Sequence, residues 1–371
     1  MTGVGPKYKR ICQELKSAID RGTYAAGCRL PSEHEMVQNH GASRITVSRA
    51  LRELQMEGYV ERRAGSGTYV RAASTKQYTF GLLIPELGHT EIFEPICQGM
   101  AAAQQAQNHV LLWGKSLAGP ETTAAEAREV CSRLISSRVS GVFFAPLESN
   151  AQKDAINATI TEMLSDAGIP VVLLDRDICD YPRRSKFDVV GIDNRRAGFV
   201  ATQHLIEAGA RRVAFIGRPH LAPSCVGRAQ GYRDAVASAL VEMGPAFVEQ
   251  LDPSDKAAVA SVLKRYSPDG IVCSSDRTAA LLMKTLAELN VRIPEDVRLV
   301  AFDDVKYASV VSVPLTTIHQ PCDQLGAAAI QTMIQRIENP AMPARDVLVD
   351  FWLVVRDSCG AKLALERLEA V

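Results

Sequence analysis

Residues 41–54 read GASRITVSRALREL. Wound as a helix at about 100° per residue, they stack Val47, Ala50, Leu51 and Leu54 on one face, the spacing of a core-packed amphipathic helix. Arg44, Ser48, Arg49 and Arg52 fall on the other side, and so does Ile45. An isoleucine among arginines on an outer face needs a partner outside its domain, or a neighbour within it. Ser43 stands where an N-cap is required, so the helix starts at Arg44 and stops near Gly58.

Ahead of this helix, Tyr8, Ile11, Leu15 and Ile19 mark a first amphipathic helix, and GTYAAGCRLP is a turn-rich break. Ser32 followed by Glu35 forms a capping box that starts a second helix, which NHGAS ends. Behind it, YVERR, AGSG and TYVR read as strand, turn and strand. Three short helices and a hairpin make a winged helix-turn-helix over residues 1–71, and residues 72–79, AASTKQYT, form a linker.

Such a unit docks its third helix in the DNA major groove. Arg44 is placed to read guanine, Ser43, Thr46 and Ser48 to meet phosphates or base edges, and Arg49 to meet a phosphate. Ile45 suits a thymine methyl, the alternative being contact within the head. In the wing, Arg62 and Arg63 precede a tip at Gly65, Ser66 and Gly67, where glycine permits close approach and arginine favours the minor groove. The charge agrees: residues 1–71 hold 12 Lys+Arg and 7 Asp+Glu, net +5, whereas the remainder holds 30 and 35, net −5.

Apolar content of 47% and charged content of 23% over 371 residues describe a globular chain of two or three domains. The nine cysteines are scattered, with no C-x-x-C pair, which suits free thiols in a reducing cytosol. MTGVGPKYKR is no secretory signal, and no apolar run reaches the roughly 18 residues of a membrane span. A cytoplasmic protein is expected.

After the linker the rhythm changes. FGLLIP, VLLWG, GVFFAP, IPVVLLD, DVVGID, RVAFIG, GIVCSSD and VRLVAFD are strand-like runs, most of them separated by helical stretches. Continuous apolar strands alternating with helices predict α/β architecture, with doubly wound parallel sheets in two similar lobes. Ligands of such sheets sit beyond the C-terminal strand ends. There stand Asp175 and Arg176, Asp193, Ser275 and Asp276, and Asp303, groups that pair with neighbouring hydroxyls. Asp276 and Asp303 also suit caps or cleft ties, and Asp193 suits a cap for a helix from Asn194.

Through LPSEHEM, GASRITVSRALREL, EGYVERR and GSGTYV, residues 7–71 resemble the GntR-type winged helix. That resemblance implies a homodimer on a roughly palindromic operator, with Arg29, Ser32, His34, Ser43, Arg44, Thr46, Ser48 and Gly67 at the DNA. His34 stands where Arg is common, and Ser48 where a basic residue is common, with Arg49 one step later. VGIDNRRAGFVATQHLIEAGARRVAFIG, GRAQGYRDA, PLTTIHQP and LVVRDSCG resemble the effector domain of LacI/GalR-type repressors over nearly all of 80–371. The implied fold is periplasmic-binding-protein-like, two lobes joined by three crossovers, with lobe 1 at about 80–209 and 321–345 and lobe 2 at about 210–320 and 346–371. By position it adds Arg228 and Gln320 as ligand contacts, and Phe93 as an aromatic surface for a sugar. The combination is that of the arabinose repressors of Gram-positive bacteria, an analogy of architecture that does not identify an effector.

The resulting expectation is a sugar-responsive, DNA-binding repressor without cofactor, catalytic residue or metal. No H-E-x-x-H, G-x-S-x-G or Walker A signature occurs. The rival is a GntR-type head on a pyridoxal-phosphate aminotransferase-like domain, which would need a longer chain and a Schiff-base lysine that has no evident place here.

Overall fold

Three helices, α1 (Lys7–Asp20), α2 (Glu33–His40) and α3 (Arg44–Met56), precede a hairpin of β1 (Val60–Arg63) and β2 (Gly67–Val70). The computed structural model describes residues 7–63, 65–71, 77–84, 92–103, 109–113, 123–148, 150–239 and 241–361, so most of the expected linker, 72–76, lies outside the described residues. Ile11, Val47, Ala50, Leu51, Leu54 and Val60 are completely buried together, which is why the apolar stripe of α3 faces inward. The capping box forms: Ser32 Oγ accepts the Glu35 amide at 3.3 Å, and the Glu35 carboxylate accepts the Ser32 amide at 2.6 Å.

Among the described residues the body contains twelve strands in two six-stranded sheets. In lobe 1, β3 (Thr79–Leu83), β4 (Val110–Trp113), β5 (Gly141–Phe144), β6 (Val171–Leu174), β7 (Asp188–Gly191) and β13 (Asp346–Leu348) run parallel in the order β13-β7-β6-β5-β3-β4. In lobe 2, β8 (Val213–Gly217), β9 (Phe247–Gln250), β10 (Gly270–Cys273), β11 (Arg298–Asp303), β12 (Thr316–His319) and β14 (Trp352–Val354) take the order β14-β12-β11-β10-β8-β9, with β14 alone antiparallel. The described helices of the body are α4 (Phe93–Ala102), α5 (Ala124–Ser136), α6 (Lys153–Asp166), α7 (Asn194–Glu207), α8 (Pro223–Ser238), α9 (Lys256–Tyr266), α10 (Asp276–Glu288) and α11 (Cys322–Glu338). Central strands such as VVLL and GIVC are buried at every position, as sheets covered on both faces require.

The lobe boundaries differ from those expected. Ala197, Ala201 and Leu205 of α7 share a core with Phe215, Tyr232 and Phe302, so α7 covers the second sheet and the chain leaves lobe 1 at 192–193, not 209. Likewise Val347 pairs with Val190, so β13 completes the first sheet and the last crossover is 349–351, not 345–346. An amphipathic helix or a short strand carries no mark of which of two sheets it joins. The remaining crossover is 320–321.

Helices α7 and α8 touch backbone to backbone. A Cβ at Gly198 would lie 2.0 Å from the Arg228 carbonyl oxygen, and one at Gly231 would lie 1.9 Å from that of Arg195. Only glycine fits there, and the contact fixes the turn of α8 that carries Arg228 into the cleft.

Candidate DNA interface and effector cleft

The N-terminus of α3 is a built cap with two side chains projecting from it. Ser43 Oγ accepts the Thr46 amide at 3.2 Å and lies 2.8 Å from Thr46 Oγ1, so both hydroxyls hold the helix start. Beyond them the Arg44 side chain is 86% exposed and Ile45 is 83% exposed. Among the described residues of the head, none covers more than a small part of Ile45. Ser48 is half-buried one turn on. The Arg49 guanidinium lies over the Tyr8 ring, 4.1 Å from its centroid.

Glu33 brings helix and wing together, since it pairs with Arg44 at 3.5 Å and also with Arg62. At the wing tip Gly65 has φ +70° and open space around it, while the Ser66 hydroxyl lies 2.7 Å from the Tyr69 hydroxyl. Gly67 has φ +128°, and a Cβ there would meet Arg29 Nε at 2.7 Å, so this glycine lets Arg29 cross the hairpin. His34 is exposed and 3.1 Å from Gln38 Nε2. Arg44, Ile45, Arg49, Arg62 and Gly65 thus face outward, while Ser32, Ser43, Thr46 and Gly67 shape the surface that presents them.

In the body, six of the nine expected residues form one seam between the lobes. Asp175, in the left-handed region at φ +68°, takes the Ser224 hydroxyl from lobe 2 at 3.1 Å and Arg176 Nη1 at 3.1 Å. Arg176 also donates to Pro146 O at 2.9 Å and to Glu148 at 3.0 Å, and its guanidinium lies over Phe93. Across the seam Arg228 donates to Asn194 at 2.8 Å and to Ser274 O at 2.7 Å, and sits 3.6 Å from Asp303. Gln320, on a crossover, donates to Asp303 at 2.7 Å. Burial opposes the charge on both arginines, but Glu148 and Asp175 around Arg176, and Asp303 near Arg228, outweigh it and raise their pKa values.

The other three residues are committed elsewhere. Asp193 caps α7 through the Arg196 amide at 2.9 Å, and Ser275 caps α10 through the Thr278 amide at 3.2 Å. Asp276 is completely buried, with the Val305 amide at 3.0 Å on one oxygen and the Thr317 hydroxyl at 2.7 Å on the other. A cavity of about 360 Å³ opens beside the seam, lined by Glu94, Asp303, Lys306, His319, Gln320 and Cys322 among others. Only Asp303 and Gln320 of the expected residues line it. Sequence reading missed Glu148, although it follows the GVFF strand as Asp175 follows VVLL, and the same strand-end rule would have found it. It also missed Ser224, one turn ahead of Arg228 on α8.

Head and body meet at the wall of this cavity. Cys322 and Asp323, in the first turn of α11, line it, and the next residue, Gln324, donates to Glu53 of α3 at 2.8 Å. Further along α11 the Gln331 amide, turned to donate, reaches Met56 O at 2.8 Å and Gln55 O at 2.9 Å. On the other flank His319 stacks on Trp352 with centroids 4.2 Å apart, and Lys9 of α1 lies over the Trp352 ring.

A winged helix beside a two-lobed cleft defines the class: a DNA-binding transcriptional regulator controlled by a small-molecule effector. Residues 7–70 match the bacterial regulatory proteins of the gntR family, and residues 202–359 match a periplasmic binding protein-like domain. The chain therefore joins a gntR-type winged-helix head to a periplasmic binding protein-like domain. It is similar to the arabinose metabolism transcriptional repressor of Geobacillus stearothermophilus, at 28% identity over 95% of this chain and 97% of that protein. It is also similar to the HTH-type transcriptional regulator CelR of Thermobifida fusca, at 29% identity over 85% and 89% of the two chains. The solved complex of the transcriptional regulator CelR with cellobiose superposes with a TM-score of 0.64, at 25% identity over 85% of this chain and 90% of that one. The pyridoxal-phosphate rival finds no support, since its body would have to be aminotransferase-like where residues 202–359 match a binding-protein domain.

Proposed function

We propose that this protein is a cytoplasmic, homodimeric, non-enzymatic repressor whose hold on a palindromic operator is set by a sugar in the interlobe cleft. One observation carries the DNA half: Arg44 and Ile45 project together, almost fully exposed, from the capped start of α3. Arg44 reads guanine and Ile45 lies on a thymine methyl, while Arg49, Arg62, His34, Ser48 and the Gly65–Ser66 tip approach phosphates or the flanking minor groove. Arg29, Ser32, Ser43, Thr46 and Gly67 hold that surface in shape. In the cleft, Phe93, Asp175, Arg176, Arg228, Asp303 and Gln320 receive the sugar, while Asp193, Ser275 and Asp276 keep the walls in register. No helix of the described residues is long and apolar enough to cross a membrane.

The signal path follows from the joint. Sugar binding moves the first turn of α11, and that turn holds the far end of the recognition helix through Gln324 and Glu53. A dimer must set two heads at a fixed spacing along the duplex, so a small rotation of each abolishes simultaneous docking. The ligand must bind the two arrangements with different affinity for this to work. The test is selection of genomic fragments by the full chain, footprinting of those enriched, and titration with sugars. A two-fold footprint that a sugar weakens is the expected result, and failure to enrich any sequence refutes the proposal.

A further inference from the structure

We infer that the cleft is built for an uncharged polyhydroxylated ligand and discriminates against carboxylated or phosphorylated sugars. This rests on the sugar-responsive reading above and narrows it to one chemical class. The observation is an imbalance in hydrogen-bonding capacity. Asp175 Oδ1 and Gln320 Oε1 are buried without a hydrogen-bond partner, on side chains whose residues are 8% and 1% exposed. Both orphans are acceptors, so the missing partner is a donor, and a hydroxyl supplies one whereas a carboxylate or phosphate dianion does not.

The cations of the seam tell the same story from the other side. The Arg176 guanidinium is divided among Pro146 O, Glu148 and Asp175, and that of Arg228 among Asn194, Ser274 O and Asp303. Three carboxylates, Glu148, Asp175 and Asp303, therefore surround two committed guanidinium groups. At the cavity, Lys306 shares the lining with Glu94 and Asp323, and Asp304 is held by His319 at 2.7 Å and Arg356 at 2.6 Å. An anion entering here loses its hydration among these carboxylates, and the two arginines of the seam are already engaged.

The test pairs each neutral sugar with its charged counterpart, against the full chain, by calorimetry and thermal shift. The probes are D-glucose and D-glucuronate, D-galactose and D-galacturonate, D-ribose and ribose 5-phosphate, with L-arabinose and cellobiose as further neutral probes. The neutral member is expected to bind about tenfold or more tightly wherever a pair binds, the size of one buried polar mismatch. An anionic member that matches or beats its neutral partner overturns this inference and leaves the sugar-responsive reading standing. Silence from all the probes, in a chain that still binds DNA, refutes the sugar-responsive reading and this inference with it. Two variants separate the parts. Gln320→Leu should lose about tenfold in neutral-sugar affinity, while the melting temperature of the ligand-free chain reports separately the loss of its hydrogen bond to Asp303; full affinity would overturn the acceptor assignment. Glu148→Gln, at a half-exposed position, removes one carboxylate from Arg176 and should shrink the neutral-to-acid ratio, while an unchanged ratio counts against the charge argument.

Discussion

The arginines of the head and those of the cleft are the same residue put to opposite uses. Arg44 is 86% exposed, with one contact at 3.5 Å to Glu33. The Arg228 side chain is 4% exposed, with each of its three nitrogens near an acceptor. An exposed, loosely held guanidinium is available to a polyanion and costs little to redirect, because surface pairs contribute only about 0–1 kcal/mol. A buried, saturated one cannot be redirected without stranding its partners. The head is therefore suited to bind charge, and the cleft to hold its charges still while something uncharged enters.

The sharpest way to break this contrast is Arg228→Ala. Removing one partner of a buried pair leaves Asp303 without its guanidinium, so about 3–5 kcal/mol of stability should be lost, together with sugar binding. Denaturant unfolding of the full chain measures it. A loss below about 1 kcal/mol would mean that the cleft arginine behaves like a surface one. Arg44→Ala is the mirror experiment. Its melting temperature should stay at the wild-type value while specific operator affinity falls about 10- to 100-fold, the scale of one guanine contact. Wild-type affinity for the selected operator would remove α3 from the interface. Across the series, operator binding should weaken steeply with salt, because phosphate contacts release counterions, and sugar binding should not.

How much of this contrast was legible follows from where each side chain makes its contacts. The head was readable to the residue, because its caps and stripe are local: Ser32 with Glu35, Ser43 with Thr46, Val47 with Leu51 and Leu54. The central strands were equally plain as continuous apolar runs. Four strands escaped, FVEQ, TTIH, DVL and WLV, because three are sheet edges with exposed positions and TTIH buries threonines whose hydroxyls are satisfied within lobe 2. In the cleft, sequence could place acids at strand ends but not divide them into ligands and ties. Asp276 and Asp175 follow strands alike, yet only the tertiary fold brings Val305 and Thr317 to the first and leaves an oxygen of the second without a donor.

The two regions are joined by Gln324, and its removal tests whether they communicate through α11. Gln324→Ala keeps the operator-reading surface and the cleft residues in place. Operator affinity without sugar and sugar affinity without DNA should each stay near wild type, while the effect of sugar on operator binding shrinks by about 0.5–2 kcal/mol, the usual scale for one link in a coupling path. Operator titrations with and without sugar, on wild type and variant, give that coupling energy directly. An unchanged value would place the signal elsewhere, the stacked His319 and Trp352 under Lys9 being the next contact to remove.

The smallest effect belongs to the residue that first stood out. Ile45 is 83% exposed and buries little of its side chain, so Ile45→Ala should leave the melting temperature unchanged and even improve helix propensity slightly. Its cost should appear only on DNA, as about 1 kcal/mol of lost preference at one A·T pair, the scale of a methyl contact against a thymine. Replacing that thymine with uracil in the operator should produce the same loss in the wild type and none in the variant. If both losses appear and do not add, the isoleucine and the methyl are partners. If they add in full, Ile45 reads nothing, and the specificity of the helix rests on Arg44.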